Sequence, residues 1–236
     1  MLSTVDDLDA YLATRTSWHT LAERVLAPAR HRATGRIGLR PAPGGFATPP
    51  FTTPEAPRRI LSVVGNELVN TTANGSARHT IVNLGDAAAF ADVDPTAPTG
   101  GYTPTTSSEI TAALPIDPLA ATALADWFEF GHLVLTGWSA THPTTGPSLI
   151  QLWPEHFDVA LDLGPETGRA NYGASPGDAS HELPYLYVGP WVATDDPFWQ
   201  GGAYAALEYD ELLSAPDPVT RALDFFARGY AVATQD

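Results

Sequence analysis

The sequence predicts an α+β protein, with a mostly antiparallel β-sheet of sandwich- or barrel-like form and three to four flanking helices. Three observations predict it. Short alternating segments crowd into residues 36–84, separated by Gly65-Asn66 and Asn74-Gly75, the turn signals of β-hairpins. Phe157, Val159, Leu161 and Leu163 alternate with His156, Asp158, Ala160 and Asp162, the period-two pattern of a half-buried strand. Helix-start signals flank these stretches, chief among them Asp117-Pro118.

In chain order, Thr4 and Asp7 give a capping-box-like start to a helix over 3–14. A second helix opens at Thr16 or Ser17 and gathers Trp18, Leu21, Val25 and Leu26 on one face; Pro28 and then Gly35 close it. Residues 36–40 form a short strand, and 44–51 an extended, proline-limited edge. Segments 59–64, 67–72 and 78–84 read as a meander. Residues 91–115, rich in Pro, Thr and Gly, form a long surface loop. A helix over 118–130 ends at Gly131, and 132–140 is a strand followed by a turn over 141–147. Strands then occupy 148–163 and 184–191, with a loop over 192–202 and a strand over 203–209. A last helix opens at Pro216 or Pro218, with Leu223, Phe225 and Phe226 apolar. With no internal repeat and no linker-like stretch, residues 1–236 read as one domain.

Composition removes whole classes of chemistry. At 44% hydrophobic the chain buries a sizeable core. No apolar run approaches the roughly 18 residues that span a bilayer. The N-terminus, Met-Leu-Ser-Thr-Val-Asp-Asp-Leu-Asp, lacks the basic region of a signal peptide and predicts a cytoplasmic location. The absence of cysteine excludes disulfides, thiolate nucleophiles and zinc–thiolate or cysteine-held iron–sulfur sites. All 12 basic residues are Arg, so a lysine Schiff base and a Walker-type phosphate loop are also excluded. Residues 1–80 carry nine Arg against six acids, and residues 81–236 three Arg against 21 acids. The resulting charge of −15 repels phosphate backbones and argues against nucleic acid as a partner. Nothing in the sequence sets the oligomeric state.

The titratable and aromatic residues converge on 148–191. On a strand, His156, Asp158 and Asp162 share the polar face, which either meets water or lines a cleft. Trp153, Tyr172, Tyr185, Tyr187 and Trp191 lie nearby in sequence, and aromatics with polar tips suit small-molecule pockets.

Gly45-Phe46-Ala47-Thr48-Pro49-Pro50, the strand pair around 66–84, Phe157-Asp158-Val159-Ala160, Ser180-His181-Glu182 and Phe198-Trp199 together resemble a family of bacterial proteins of unknown function, common in soil bacteria. The segments run in order over most of the chain. The family pattern carries a small residue at the position of His156 and a Trp/His-rich strand before the Gly-Phe segment. The resemblance implies a similar fold and a shared Asp158, His181 and Glu182, with no activity attached.

Several chemistries fit these residues. Gly173-Ala174-Ser175-Pro176-Gly177 matches a nucleophile elbow, but Pro176 has no N–H to offer an oxyanion, so the string reads as a turn. His156, Asp158 and His181 have the residue types of a two-His, one-carboxylate centre and would admit a divalent metal. Without metal, Asp158, His181 and Glu182 could serve as acid and base in isomerase, cyclase or hydrolase chemistry, with Glu155 and Asp162 behind them. Trp153, Tyr185, Tyr187, Trp191 and Trp199 could stack on a sugar ring or flat ligand while acids bond its hydroxyls. Arg30 and Arg32 around His31, and Arg78 beside His79, suggest an anion contact in the basic part of the chain, although surface Arg more often pair with acids. The leading expectation is a small-molecule-binding domain whose cleft lies at 148–163 and 184–191. An enzyme at Asp158, His181 and Glu182 is the alternative, and a structural or interaction protein without a catalytic site the third.

Overall fold

A computed structural model of the chain describes residues 2–96, 101–192, 195–199 and 202–235. The fold is α+β, with two five-stranded antiparallel sheets ordered β1-β2-β3-β4-β5 and β10-β9-β8-β7-β6. Both sheets are open, so neither is a barrel. Contacts divide the chain into two compact units. The first spans Ser3–Asp126 and Leu152–Phe157; the second spans Trp127–Gln151 and Asp158–Asp236. No helix among the described residues is long and apolar enough to cross a membrane.

The first unit starts with helix α1 (Leu8–Leu21), whose N-cap Asp7 accepts the Ala10 N–H at 3.0 Å. The chain then stays helical through a π-helical stretch, Ala22–Leu26, into α2 (Ala27–Thr34). The sequence suggested two helices broken near residue 15 and closed from Pro28. Pro28 instead sits inside the rod, because the wider π turn leaves room for its ring and for the missing N–H. Gly35, at φ +69°, ends α2 in the left-handed conformation.

Strands β1 (Arg40–Ala42), β2 (Gly45–Ala47), β3 (Arg59–Val64), β4 (Glu67–Thr72) and β5 (Gly75–Thr80) form a meander. Gly45 is obligatory, since a Cβ there would lie 2.2 Å from the Val63 carbonyl oxygen. Trp18 packs edge-on against Phe46 at 5.6 Å and donates to the Gly65 carbonyl, pinning α1 to the sheet. The meander's last strand begins and ends earlier than 78–84. Asn83 caps a helix that the sequence reading missed, α3 (Leu84–Ala91), accepting the Asp86 N–H at 2.8 Å and donating back to its carboxylate. The Asn-x-x-Asp spacing was the available signal.

The described residues of 91–115 beyond α3 contain no strand or helix, yet several ties hold this segment to α1 and the π stretch. Glu23, fully buried, accepts the N–H groups of Thr105 and Thr106. Ser17 donates to the Pro115 carbonyl, and Thr14 accepts the Asp117 N–H. His19 lies beside Glu23 (3.8 Å), stacks on Phe157 and bonds the Pro154 carbonyl at 2.9 Å. A carbonyl only accepts, so Nε2 carries the hydrogen.

Burial lowers the His19 pKa below its ordinary 6.5, outweighing the upward pull of Glu23 and the Pro154 carbonyl, while Arg15 and His156 add to the lowering. The unfolded chain therefore takes up this proton first as pH falls. Stability from neutral His19 is complete above about 6.5 and is lost as pH drops toward the lower folded value. Urea midpoints at pH 7.5 and 5.5 should fall further for the wild type than for His19→Gln, which keeps a donor to Pro154 but does not titrate.

Helix α4 (Pro118–Thr141) is capped by Asp117, which accepts the N–H of Leu119 and Ala120 at 2.9 Å. It does not stop at Gly131, and 132–140 is helix rather than strand. Gly131 is a packing residue: a Cβ there would lie 2.5 Å from Ala174 Cβ. In the second unit follow β6 (Gln151–Trp153, only its first residue in this unit), β7 (Asp158–Leu163), β8 (Ala170–Ser175), β9 (Tyr185–Pro190) and β10 (Ala205–Glu208). A short helix α5 (Tyr209–Leu213) leads to α6 (Pro218–Ala233), which Asp217 caps just before Pro218. Val159, Leu161, Tyr172, Leu186, Val188 and Leu207 are buried on one face of this sheet. Gly229 of α6 meets Val188 there, as Gly131 meets Ala174. The loop expected over 192–202 lies partly outside the described residues.

Candidate functional site

The other face of the second sheet carries the polar residues. Register and alternation place Asp158 and Ala160 of β7 beside Gly173 and Ser175 of β8, Tyr185 and Tyr187 of β9, and Ala206 and Glu208 of β10. Gly173 makes the arrangement possible. A Cβ there would lie 2.3 Å from the Tyr187 ring, so only glycine lets that ring lie across β8. Tyr187 Oη then donates to Asp158 Oδ2, two strands away. Asp158 is only 4% exposed.

A second tyrosine–carboxylate pair lies alongside. Tyr185 Oη donates to Asp178 Oδ2 at 2.6 Å, while Asp178 Oδ1 accepts the N–H groups of Ser180 and His181. The His181 ring stacks on Tyr185 at 4.3 Å. Its Nε2 lies 3.2 Å from Glu208 Oε1 and its Nδ1 3.9 Å from Asp178 Oδ1. Tyr204 completes the group. The centroids of Tyr185, Tyr187 and Tyr204 are 6.2, 6.3 and 6.3 Å apart, an aromatic cluster.

The electrostatics follow from burial and these bonds. Burial, then the Asp158 charge and its hydrogen bond, push Tyr187 well above its ordinary pKa. Burial and the bond to Asp178 do the same for Tyr185. Burial works against the Asp178 carboxylate, but the Tyr185 hydroxyl, the two backbone N–H groups and His181 together hold its pKa below the usual value. Both phenols therefore stay protonated as donors at neutral pH.

Of the residues singled out from the sequence, Asp158, His181, Tyr185 and Tyr187 join this group. Glu182 is exposed one residue beyond His181. His156 is exposed in the turn before β7, and Phe157, at φ +54°, breaks the alternation that was to align His156 with Asp158. That φ is uncommon for an aromatic residue. It is fixed by the bond from its N–H to the Trp153 carbonyl and by packing on Phe46 and His19. Among the described residues no three His, Asp or Glu side chains are grouped to hold a metal ion, so His156, Asp158 and His181 do not form the expected trio. Trp153 belongs to the first unit. Trp191 is 59% exposed, bonding Asn171 under the Arg169 guanidinium, and Trp199 is buried against Phe198.

Asp178, Tyr204 and Glu208 were missed. The alternation of Tyr204, Ala206 and Glu208 against Ala205, Leu207 and Tyr209 was a usable signal. Asp178, in a Pro-Gly-Asp turn, offered none. Ser175 ends β8 and accepts the Gly177 N–H at 3.2 Å, as a turn residue does. Two cavities are present among the described residues. One of about 350 Å³ is lined by α1 and residues 107–115. Another of about 390 Å³ lies between β10 and α6 and reaches Ala206, the register partner of Tyr187.

The chain is thus an α+β protein with a tyrosine- and carboxylate-lined sheet face. No protein-family model, no curated protein and no solved structure matches it.

Proposed function

We propose that the protein binds a small organic molecule on the tyrosine face of the second sheet. The observation that carries this reading is the cluster of three tyrosine rings beside Asp158, Asp178 and Glu208. Tyrosine rings suit a flat or ring-shaped ligand, and carboxylates accept bonds from its hydroxyl or amino groups. Anions are poor candidates here. The three Arg of this unit are engaged elsewhere: Arg169 with Asp162, Arg221 with Glu211, and Arg228 over the Phe198 ring. A cytoplasmic setting would suit this reading.

Saturation-transfer NMR with a panel of monosaccharides, amino alcohols and aromatic amines tests the proposal. Compounds that bind the wild type should bind Tyr204→Ala about five- to tenfold more weakly, the loss of one stacking partner. Glu208→Gln should weaken the amines most. Unchanged affinity in both variants, or no binding at millimolar concentration, sinks the proposal.

Acid–base catalysis on a bound molecule is the second reading, favoured by His181 lying between Glu208 and Asp178. Under it, a bound compound is converted by the wild type and still bound but unconverted by His181→Asn.

A further inference from the structure

The first unit buries two arginines, and only one of them is provided for. Arg59, 7% exposed, donates from Nε to Asn70 Oδ1 at 3.1 Å and from Nη2 to the Ala91 carbonyl at 2.7 Å. Its guanidinium also sits over the Phe51 ring at 5.9 Å. Arg30 is as deeply placed, at 8% exposure, on the inner side of α2. Its Nη1 is buried and has no hydrogen-bond partner. Among the described residues no ion pair includes it, although acids outnumber Arg 27 to 12 in the chain.

A buried guanidinium nitrogen without a partner is costly, because it has given up water without a replacement. Nor does its neighbourhood relieve it. Gly35 reverses the chain after α2, and the Arg36 that follows acts on Arg30 as a like charge. Burial first, and Arg36 second, lower the Arg30 pKa. Arg32, two residues on, is already taken by Asp92.

We propose that Arg30 anchors an oxyanion site in the first unit. The ligand class is a carboxylate or phosphate group, whose two oxygens match the planar fork of a guanidinium. The site is independent of the tyrosine face and carries the opposite preference of charge.

Thermal unfolding of the full chain in sodium phosphate, sodium acetate and sodium chloride at matched ionic strength tests it. The wild-type midpoint should climb with the logarithm of phosphate or acetate concentration, beyond any rise in chloride. A response to phosphate alone assigns a phosphate group, and a response to acetate assigns a carboxylate. Arg30→Met, which removes the charge and keeps the stem, should melt no lower than wild type in chloride and lose the anion-specific rise. Arg30→Lys keeps the charge without the fork, and should need at least tenfold more anion for the same rise. A wild type that treats all three salts alike overturns the site. So does either variant with an undiminished anion response.

Discussion

Glu23→Ala is expected to lower stability by about 3 kcal/mol, roughly 6–12 °C in melting temperature for a chain of this length. Glu23 sits in the π stretch with no exposed surface and takes three hydrogen bonds from the backbone of Thr105 and Thr106. Alanine leaves those N–H groups without an acceptor and opens a void against His19 and the Tyr102 hydroxyl, which bonds the Glu23 carbonyl. The segment over 101–107 then keeps the Arg24 bond to Thr106 and the Tyr102 bond to the backbone carbonyl of residue 23, but loses its buried acceptor. Limited proteolysis should cut the variant first in this segment, under conditions where the wild type is intact. Glu23→Gln should fall between, because one amide oxygen can still accept while the NH2 group opposes a backbone donor. An alanine variant as stable and protease-resistant as wild type would mean the buried carboxylate does not anchor the segment.

Gly131→Ala runs against helix propensity. In an exposed helix the change gains about 1 kcal/mol. Here the added Cβ would lie 2.5 Å from Ala174 Cβ and 4.0 Å from Val159 Cβ. Neither atom can swing aside, since Ala174 is fully buried and its side chain ends at that carbon. The helix must move off the sheet, and overpacking of this kind costs about 1–3 kcal/mol. A net loss of about 1–2 kcal/mol in urea unfolding is the expected result. Ala174→Gly should restore part of that loss in the double variant, giving a coupling energy of about 1 kcal/mol or more. Additive effects of the two substitutions would show that the two positions do not touch.

These two sites also mark where reading the chain worked and where it failed. Strand identities in 59–72 and the Asp117 start signal were legible because turn and cap chemistry is local. Pro28 and Gly131 misled because each normally breaks a helix, and each is kept by something non-local: a widened helical turn and a close-packed strand. The helix over Leu84–Ala91 is masked in the sequence because strand-like alternation runs on into Asn83, its cap.

The candidate site divides the same way. Alternation alone put Tyr185 with Tyr187, and Asp158 on a polar strand face. It could not say that Gly173 lets Tyr187 cross a strand to Asp158, because register between strands decides that. Nor could it join Asp178, His181 and Glu208, which come from a turn and from a separate strand. By itself the sequence determined the α+β class, the absence of thiol and lysine chemistry, and the acidic second half, since composition and periodicity are properties of the chain. Tertiary structure alone decided which acids meet which tyrosines, which glycines are contacts rather than breaks, and which arginine is left without a partner. Those outcomes depend on strand register and helix packing, which bring together residues far apart in sequence.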